Sequence, residues 1–182
     1  MRLFVAIDLN EELRAKISEI ERAIQETGAD VKLVEPENLH ITLKFLGEVP
    51  EERVREVQDS VSKSIESVGE FKISIEGFGY FGSRNYIRTL WVDVKEGRER
   101  ILEIMSKLSE NLSRIRNEKR ASSVHLTIGR VKSAKNKVPL LNKIEELKNV
   151  KVGELDVKEI KLKSSVLTKK GPIYSDVRAF EI

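Results

Sequence analysis

The 182-residue chain contains no cysteine. Disulfides, thiolate nucleophiles and zinc-thiolate sites are excluded, which leaves only His, Asp and Glu as side-chain metal ligands. Long apolar runs are also missing, so no segment has the length needed to cross a bilayer. The opening Met1-Arg2-Leu3-Phe4-Val5-Ala6-Ile7 meets Asp8 too early for a secretory signal, and a cytoplasmic protein with no membrane partner is expected. Neither sign of charge dominates: 33 Lys and Arg stand among 30 Asp and Glu, a net charge of +3. Such mixing resembles a salt-bridged surface more than a nucleic-acid footprint, and it permits an RNA partner without demanding one.

What is present is a foldable chain, 40% hydrophobic and 35% charged, long enough to bury one core or a pair of closely packed lobes. Leu3 to Ile7 reads as a buried strand. Asn10 then opens a helix with Leu13, Ile17, Ile20 and Ile24 on one face, closed by Gly28. Val31 to Val34 and Leu39 to Leu46 read as strands, and Pro50 starts a helix that turns Val54, Val57, Val61, Ile65 and Val68 inward. Phe71 to Ile75 and Tyr86 to Val94 are strand-like, and Ile101, Leu102, Met105, Leu108, Leu112 and Ile115 mark a third helix. Val124 to Val131 reads as a strand, followed by a short helix around Leu140 to Leu147, a long β-rich stretch from Val152 to Leu167, and a last strand ending at Phe180. No linker interrupts the chain. The alternation indicates α/β or α+β layering.

Histidine is scarce, and its two occurrences share one pattern: His40-Ile41-Thr42-Leu43 and His125-Leu126-Thr127-Ile128. With five threonines in the chain, chance would place Thr two residues after both histidines roughly once in a thousand sequences. In a strand, residues two apart share a face, so each imidazole lies beside a hydroxyl while the intervening apolar residues anchor the opposite side. If both strands border one cleft, two groups titrating near neutrality and two hydroxyl donors surround a single point. That set suits acid-base chemistry on an anionic ester: one His takes a proton from water, the other protonates a leaving oxygen, and the Thr hydroxyls bond the non-bridging oxygens. No metal or nucleotide cofactor is needed. Each motif alone also fits a satisfied strand histidine beside a β-branched neighbour; the duplication favours chemistry. A metal site is disfavoured because neither motif carries an acid at ligand spacing.

These motifs resemble those of the 2H phosphoesterase superfamily, and in particular its RNA 2′,3′-cyclic phosphodiesterases, also called 2′-5′ RNA ligases. The likeness extends to Arg2-Leu3-Phe4-Val5-Ala6-Ile7, Leu43-Lys44-Phe45-Leu46-Gly47, Leu90-Trp91-Val92, Ser165-Val166-Leu167 and Gly171-Pro172-Ile173-Tyr174. It implies one bilobal catalytic domain over residues 1–182, with two pseudo-symmetric lobes, antiparallel sheets lining a central cleft, helices outside, and one motif per lobe. It further implies hydrolysis of RNA 2′,3′-cyclic phosphate ends to 2′-phosphates by a monomer, with tRNA fragments among the candidate substrates. By this carry-over His125 is the general base and His40 the general acid, roles that exchange in the reverse direction. ATP-independent 2′-5′ ligation at the same site and a non-catalytic RNA-binding module are the alternatives. One departure is visible: Val124 stands where relatives usually have Pro.

Around the motifs, Lys44 shares strand parity with His40 and Thr42 and is a candidate phosphate ligand, as is Arg130 if Gly129 marks a bulge that re-aims it. Tyr174 is a candidate for stacking on a base, whereas Phe45 is expected in the core. Gly77-Phe78-Gly79-Tyr80-Phe81-Gly82 matches the dinucleotide spacing, but a strand-like segment comes after it instead of a helix, so it is read as a turn between strands.

Overall fold

The computed structural model describes residues 1–116, 123–169 and 171–182. The chain forms β1 (Arg2–Asp8), α1 (Glu11–Glu26), β2 (Val31–Leu33), β3 (His40–Glu48), α2 (Val54–Ile65), β4 (Phe71–Gly82), β5 (Ile87–Val94), α3 (Arg98–Asn111), β6 (His125–Val131), α4 (Lys137–Leu147), β7 (Lys151–Val157), β8 (Glu159–Leu167) and β9 (Pro172–Glu181). Local chemistry explains the boundaries. The Asn10 side chain accepts the Leu13 N–H at 2.9 Å and caps α1, and Gly28, at φ +66, turns the chain away. Proline at position 50 leads first into a single tight turn, Glu51–Arg53, before α2 begins at Val54. The stretch from Val152 to Leu167 is two strands rather than one, because the chain breaks at Lys158.

Every strand pairing is antiparallel, and the order is β7-β4-β5-β6-β3-β1-β8-β9, with β2 added on β6. The order divides into two equivalent halves, β6-β5-β4-β7 and β3-β1-β8-β9, each with a histidine strand at the seam. A single Cα pair, Ile41 opposite Leu126, registers β3 against β6. This is the expected pseudo-symmetric, antiparallel arrangement. The helices cross over: α1 comes after β1 but packs on β7 and α4, while α3 comes after β5 but packs on β3 and α2. Side-chain contacts mark both crossings, with Asn111 Nδ2 donating to Ser64 Oγ at 3.0 Å between α3 and α2 and Asn136 Nδ2 donating to Thr27 O at 3.1 Å between the start of α4 and the end of α1. One contiguous apolar core results, including Leu3, Val5, Ile17, Ile41, Val61, Leu90, Ile104, Leu126 and Leu162.

The glycine-rich segment is not a turn; it lies inside β4, and the chain reverses after it through Ser83 to Tyr86. Its glycines serve the sheet. Gly77, at φ +87, sits where the β4–β5 register slips, and Gly79 makes room for the Trp91 indole, since a Cβ there would lie 2.5 Å from the ring. Gly79→Ala should therefore displace the chain's sole tryptophan and destabilise the fold by about 1–3 kcal/mol. Urea unfolding followed by Trp91 emission checks this, and a native spectrum with an unchanged midpoint would show that the ring has room to spare.

Candidate active site

The seam between β3 and β6 builds the site. Ile41 and Leu126 are wholly buried against the helices, so the alternate residues His40, Thr42, His125 and Thr127 emerge together on the opposite face, each partly exposed. With Ile41 opposite Leu126, antiparallel pairing extended by one residue sets His40 across from Thr127 and Thr42 across from His125. The imidazoles thus occupy one diagonal of a four-residue patch and the hydroxyls the other. Diagonal neighbours of this kind lie about 7–8 Å apart, a gap that a phosphate group can bridge.

Each ring is anchored from two residues upstream. His40 Nδ1 lies 2.7 Å from Asn38 O; a carbonyl only accepts, so this nitrogen carries the proton, and Nε2 accepts from Thr42 Oγ1 at 3.0 Å. His125 Nδ1 lies 3.1 Å from Ser123 Oγ. Aromatic rings pack beside both: Phe4 at 5.0 Å and Tyr174 at 5.3 Å from His40, and Phe81 at 4.8 Å from His125. Burial among them disfavours the imidazolium, so both histidines titrate below their ordinary 6.5; bonds that the rings donate to the backbone of Asn38 and Ser123 and the charges of Asp8 and Asp93 oppose the shift.

The surrounding candidates divide at a pair of β-bulges. In β3 the register passes from Thr42, opposite Ala6, to Lys44, opposite Val5, leaving Leu43 as the extra residue. In β6 it passes from Thr127, opposite Trp91, to Gly129, opposite Leu90, leaving Ile128 as the extra residue. A bulge flips the parity of every residue beyond it in the strand. Arg130 is accordingly turned onto the histidine face as expected, where its charge acts on both His125 and Tyr174. Lys44 is turned off it: its side chain is buried and its Nζ reaches 3.5 Å from Ser109 Oγ on α3. The expectation that Lys44 faces the cleft is corrected by the bulge. So is the core role for Phe45, which is 43% exposed, stacks on Phe4 and lies under the Arg2 guanidinium. Tyr174, on β9 opposite Ser165, meets both Phe4 and His40 edge-on.

Sequence reasoning missed two acids. Asp8 ends β1 opposite His40, and Asp93 lies near the end of β5 opposite His125. Asp8 pairs with Lys163 at 2.8 Å and Lys161 at 3.2 Å, and Asp93 with Arg98 at 2.6 Å and Lys95 at 3.0 Å. The available signal was an acid closing a buried strand in each half, Ala6-Ile7-Asp8 and Trp91-Val92-Asp93. Among the described residues no three His, Cys, Asp or Glu side chains are grouped to hold a metal ion.

The sequence model of the family described as LigT like Phosphoesterase matches the chain twice, over residues 7–91 and 92–174. The chain belongs to this family. Each match contains one histidine motif, and each half of the sheet takes strands from both matches. Among relatives, a Methanocaldococcus jannaschii protein is 42% identical over 179 residues, spanning 98% of this chain and 99% of the relative. One from Methanothermobacter thermautotrophicus is 40% identical over 183 residues, spanning 100% and 99%. Both are named RNA 2′,3′-cyclic phosphodiesterase. A crystal structure from Thermus thermophilus superposes with a TM-score of 0.83 at 28% identity, covering 100% of this chain and 97% of that one.

The depressed histidines make a pH prediction. As the pH falls below about 6.5, the unfolded chain takes up protons before the folded one, so these two groups lower stability through that window. Proton NMR of the free protein should show both imidazoles titrating below 6.5, and replacing either by Ala should flatten the acid side of the stability curve. A midpoint at or above 6.5 for either ring contradicts the assigned burial.

Proposed function

We propose that this phosphoesterase opens RNA 2′,3′-cyclic phosphate ends to 2′-phosphates by two-histidine acid-base catalysis. The observation that carries the reading is the diagonal patch at the β3–β6 seam, where two imidazoles and two hydroxyls alternate around an anion-sized gap. The names of the archaeal relatives support the substrate class.

In this reading the cyclic phosphate sits between the two rings. Neutral His125 takes a proton from water as its oxygen attacks phosphorus, and protonated His40 gives one to O3′ as the P–O3′ bond breaks. The 2′-phosphate remains on the ribose, and the next exchange with solvent resets both rings. Charge building on the non-bridging oxygens is met by the Thr42 and Thr127 hydroxyls and by Arg130, which supplies the fixed cation. Asn38 and Ser123 hold the tautomers that leave each Nε2 toward the cleft. Tyr174 supplies an aromatic face beside the His40 ring for the terminal nucleoside. The protein acts as a cytoplasmic monomer, and tRNA fragments are among its substrates.

An oligonucleotide ending in a 2′,3′-cyclic phosphate, offered in EDTA, should be converted to the 2′-phosphate. His40→Ala or His125→Ala should lower kcat by roughly 10²-fold to 10⁴-fold. Full activity in either variant, a 3′-phosphate product or dependence on added metal would overturn the mechanism. Arg130→Ala removes a charged donor worth about 1.5–3 kcal/mol, so kcat/KM should fall roughly tenfold to a hundredfold, and an unchanged value would place the guanidinium outside the site.

A further inference from the structure

Two acids, each hydrogen-bonded to its own cation, stand across from the histidines in the neighbouring strands. Asp8 is opposite His40 in the β1–β3 register, and Asp93 is opposite His125 in the β5–β6 register. The places are equivalent, since β1 and β5 are the strands next to the histidine strand in their respective halves. Both carboxylates are largely covered, with side chains 19% and 18% exposed, and each is clamped by two cations.

We propose that Asp8 and Asp93 are matched positioning residues, each holding a fixed negative charge behind one histidine of the catalytic pair. The proposal rests on the acid-base reading of His40 and His125. A charge already fixed by its own cations needs no rearrangement when the neighbouring ring gains a proton, which is the condition for electrostatic preorganisation. The two clamps differ. Around His40 stand Asp8 on β1, Glu159, Lys161 and Lys163 on β8, and Asp176 and Tyr174 on β9; Lys163 and Lys161 reach Asp176 at 2.8 and 2.9 Å and Lys161 reaches Glu159 at 3.3 Å, so three acids face two cations. Around His125 stand Asp93 on β5, Lys95 after it, Arg98 on α3 and Arg130 on β6, one acid among three cations. Arg98 also donates to Val94 O at 3.0 Å and to Val124 O at 3.3 Å, tying the acid to the residue before His125. Burial disfavours the imidazolium of both rings; at His40 the Asp8 charge favours it against Lys163, and at His125 the Asp93 charge favours it against Arg98 and Arg130.

The two histidines make NMR titration of the free protein simple to read. Asp8→Asn should lower the His40 midpoint by at least about 0.5 in pH and leave His125 unmoved, and Asp93→Asn should do the reverse. Asp176→Asn, which shares the same lysines but has no register partner in the histidine strand, should move His40 less than Asp8→Asn does and leave His125 unmoved. In cyclic-phosphate hydrolysis each of the first two variants should lower kcat about tenfold, a part of the general acid-base contribution, with KM nearly constant and one limb of the pH profile displaced. Unmoved midpoints, or an Asp176→Asn shift equal to that of Asp8→Asn, would overturn the proposal. Should Asp8→Asn not fold, Lys163→Gln must raise the His40 midpoint, and an unchanged value is equally decisive against it. Failure of the wild-type protein to hydrolyse the substrate would instead sink the functional reading and leave the titrations to judge the acids.

Discussion

Ile41 and Leu126 meet across the one registered pair between β3 and β6 among the described residues, and both side chains are fully buried. The alternation of a strand does the rest. Committing these two residues to the core commits His40, Thr42, His125 and Thr127 to the opposite face, because a slip of one residue in either strand would bury an imidazole and expose an aliphatic chain. The catalytic arrangement is therefore secured by hydrophobic burial rather than by polar contacts among the four residues. The bond that His40 Nδ1–H donates to Asn38 O only chooses which nitrogen faces outward, and Ser123 Oγ contacts His125 Nδ1.

Much of this was legible because it depends on period and burial. The pairing of each His with its Thr and the apolar faces of α1 to α4 come from spacing and the antiparallel layering from the family resemblance, and the structure places them accordingly. Parity counting failed at Leu43. The matching bulge at Ile128 announced itself through Gly129, where a Cβ would come within 2.9 Å of Val31 Cγ1, so Arg130 was correctly re-aimed. Leu43-Lys44-Phe45 contains no glycine to mark a bulge, and Lys44 and Phe45 lie on the sides opposite to those expected. Asp8 and Asp93 escaped notice for another reason: an acid after a buried strand is an ordinary way to end it, and only the cross-strand register reveals the imidazole opposite.

Charge around the site is arranged locally. Asp8, Asp176, Lys161 and Lys163 are brought together from distant parts of the chain, which keeps the desolvation cost of each ion bounded by its partner. The near balance of the whole composition thus conceals a difference along the seam, from an acid-rich cluster beside His40 to a cation-rich one beside His125.

Helices α1 and α3 cross over. Each helix leaves its own half and covers the other, so a chain containing only one half would carry a helix with nowhere to dock and a sheet with no roof. Two such chains could satisfy each other only by trading helices, as in a swapped dimer. Joined in one chain, the exchanged helices are held within a single molecule.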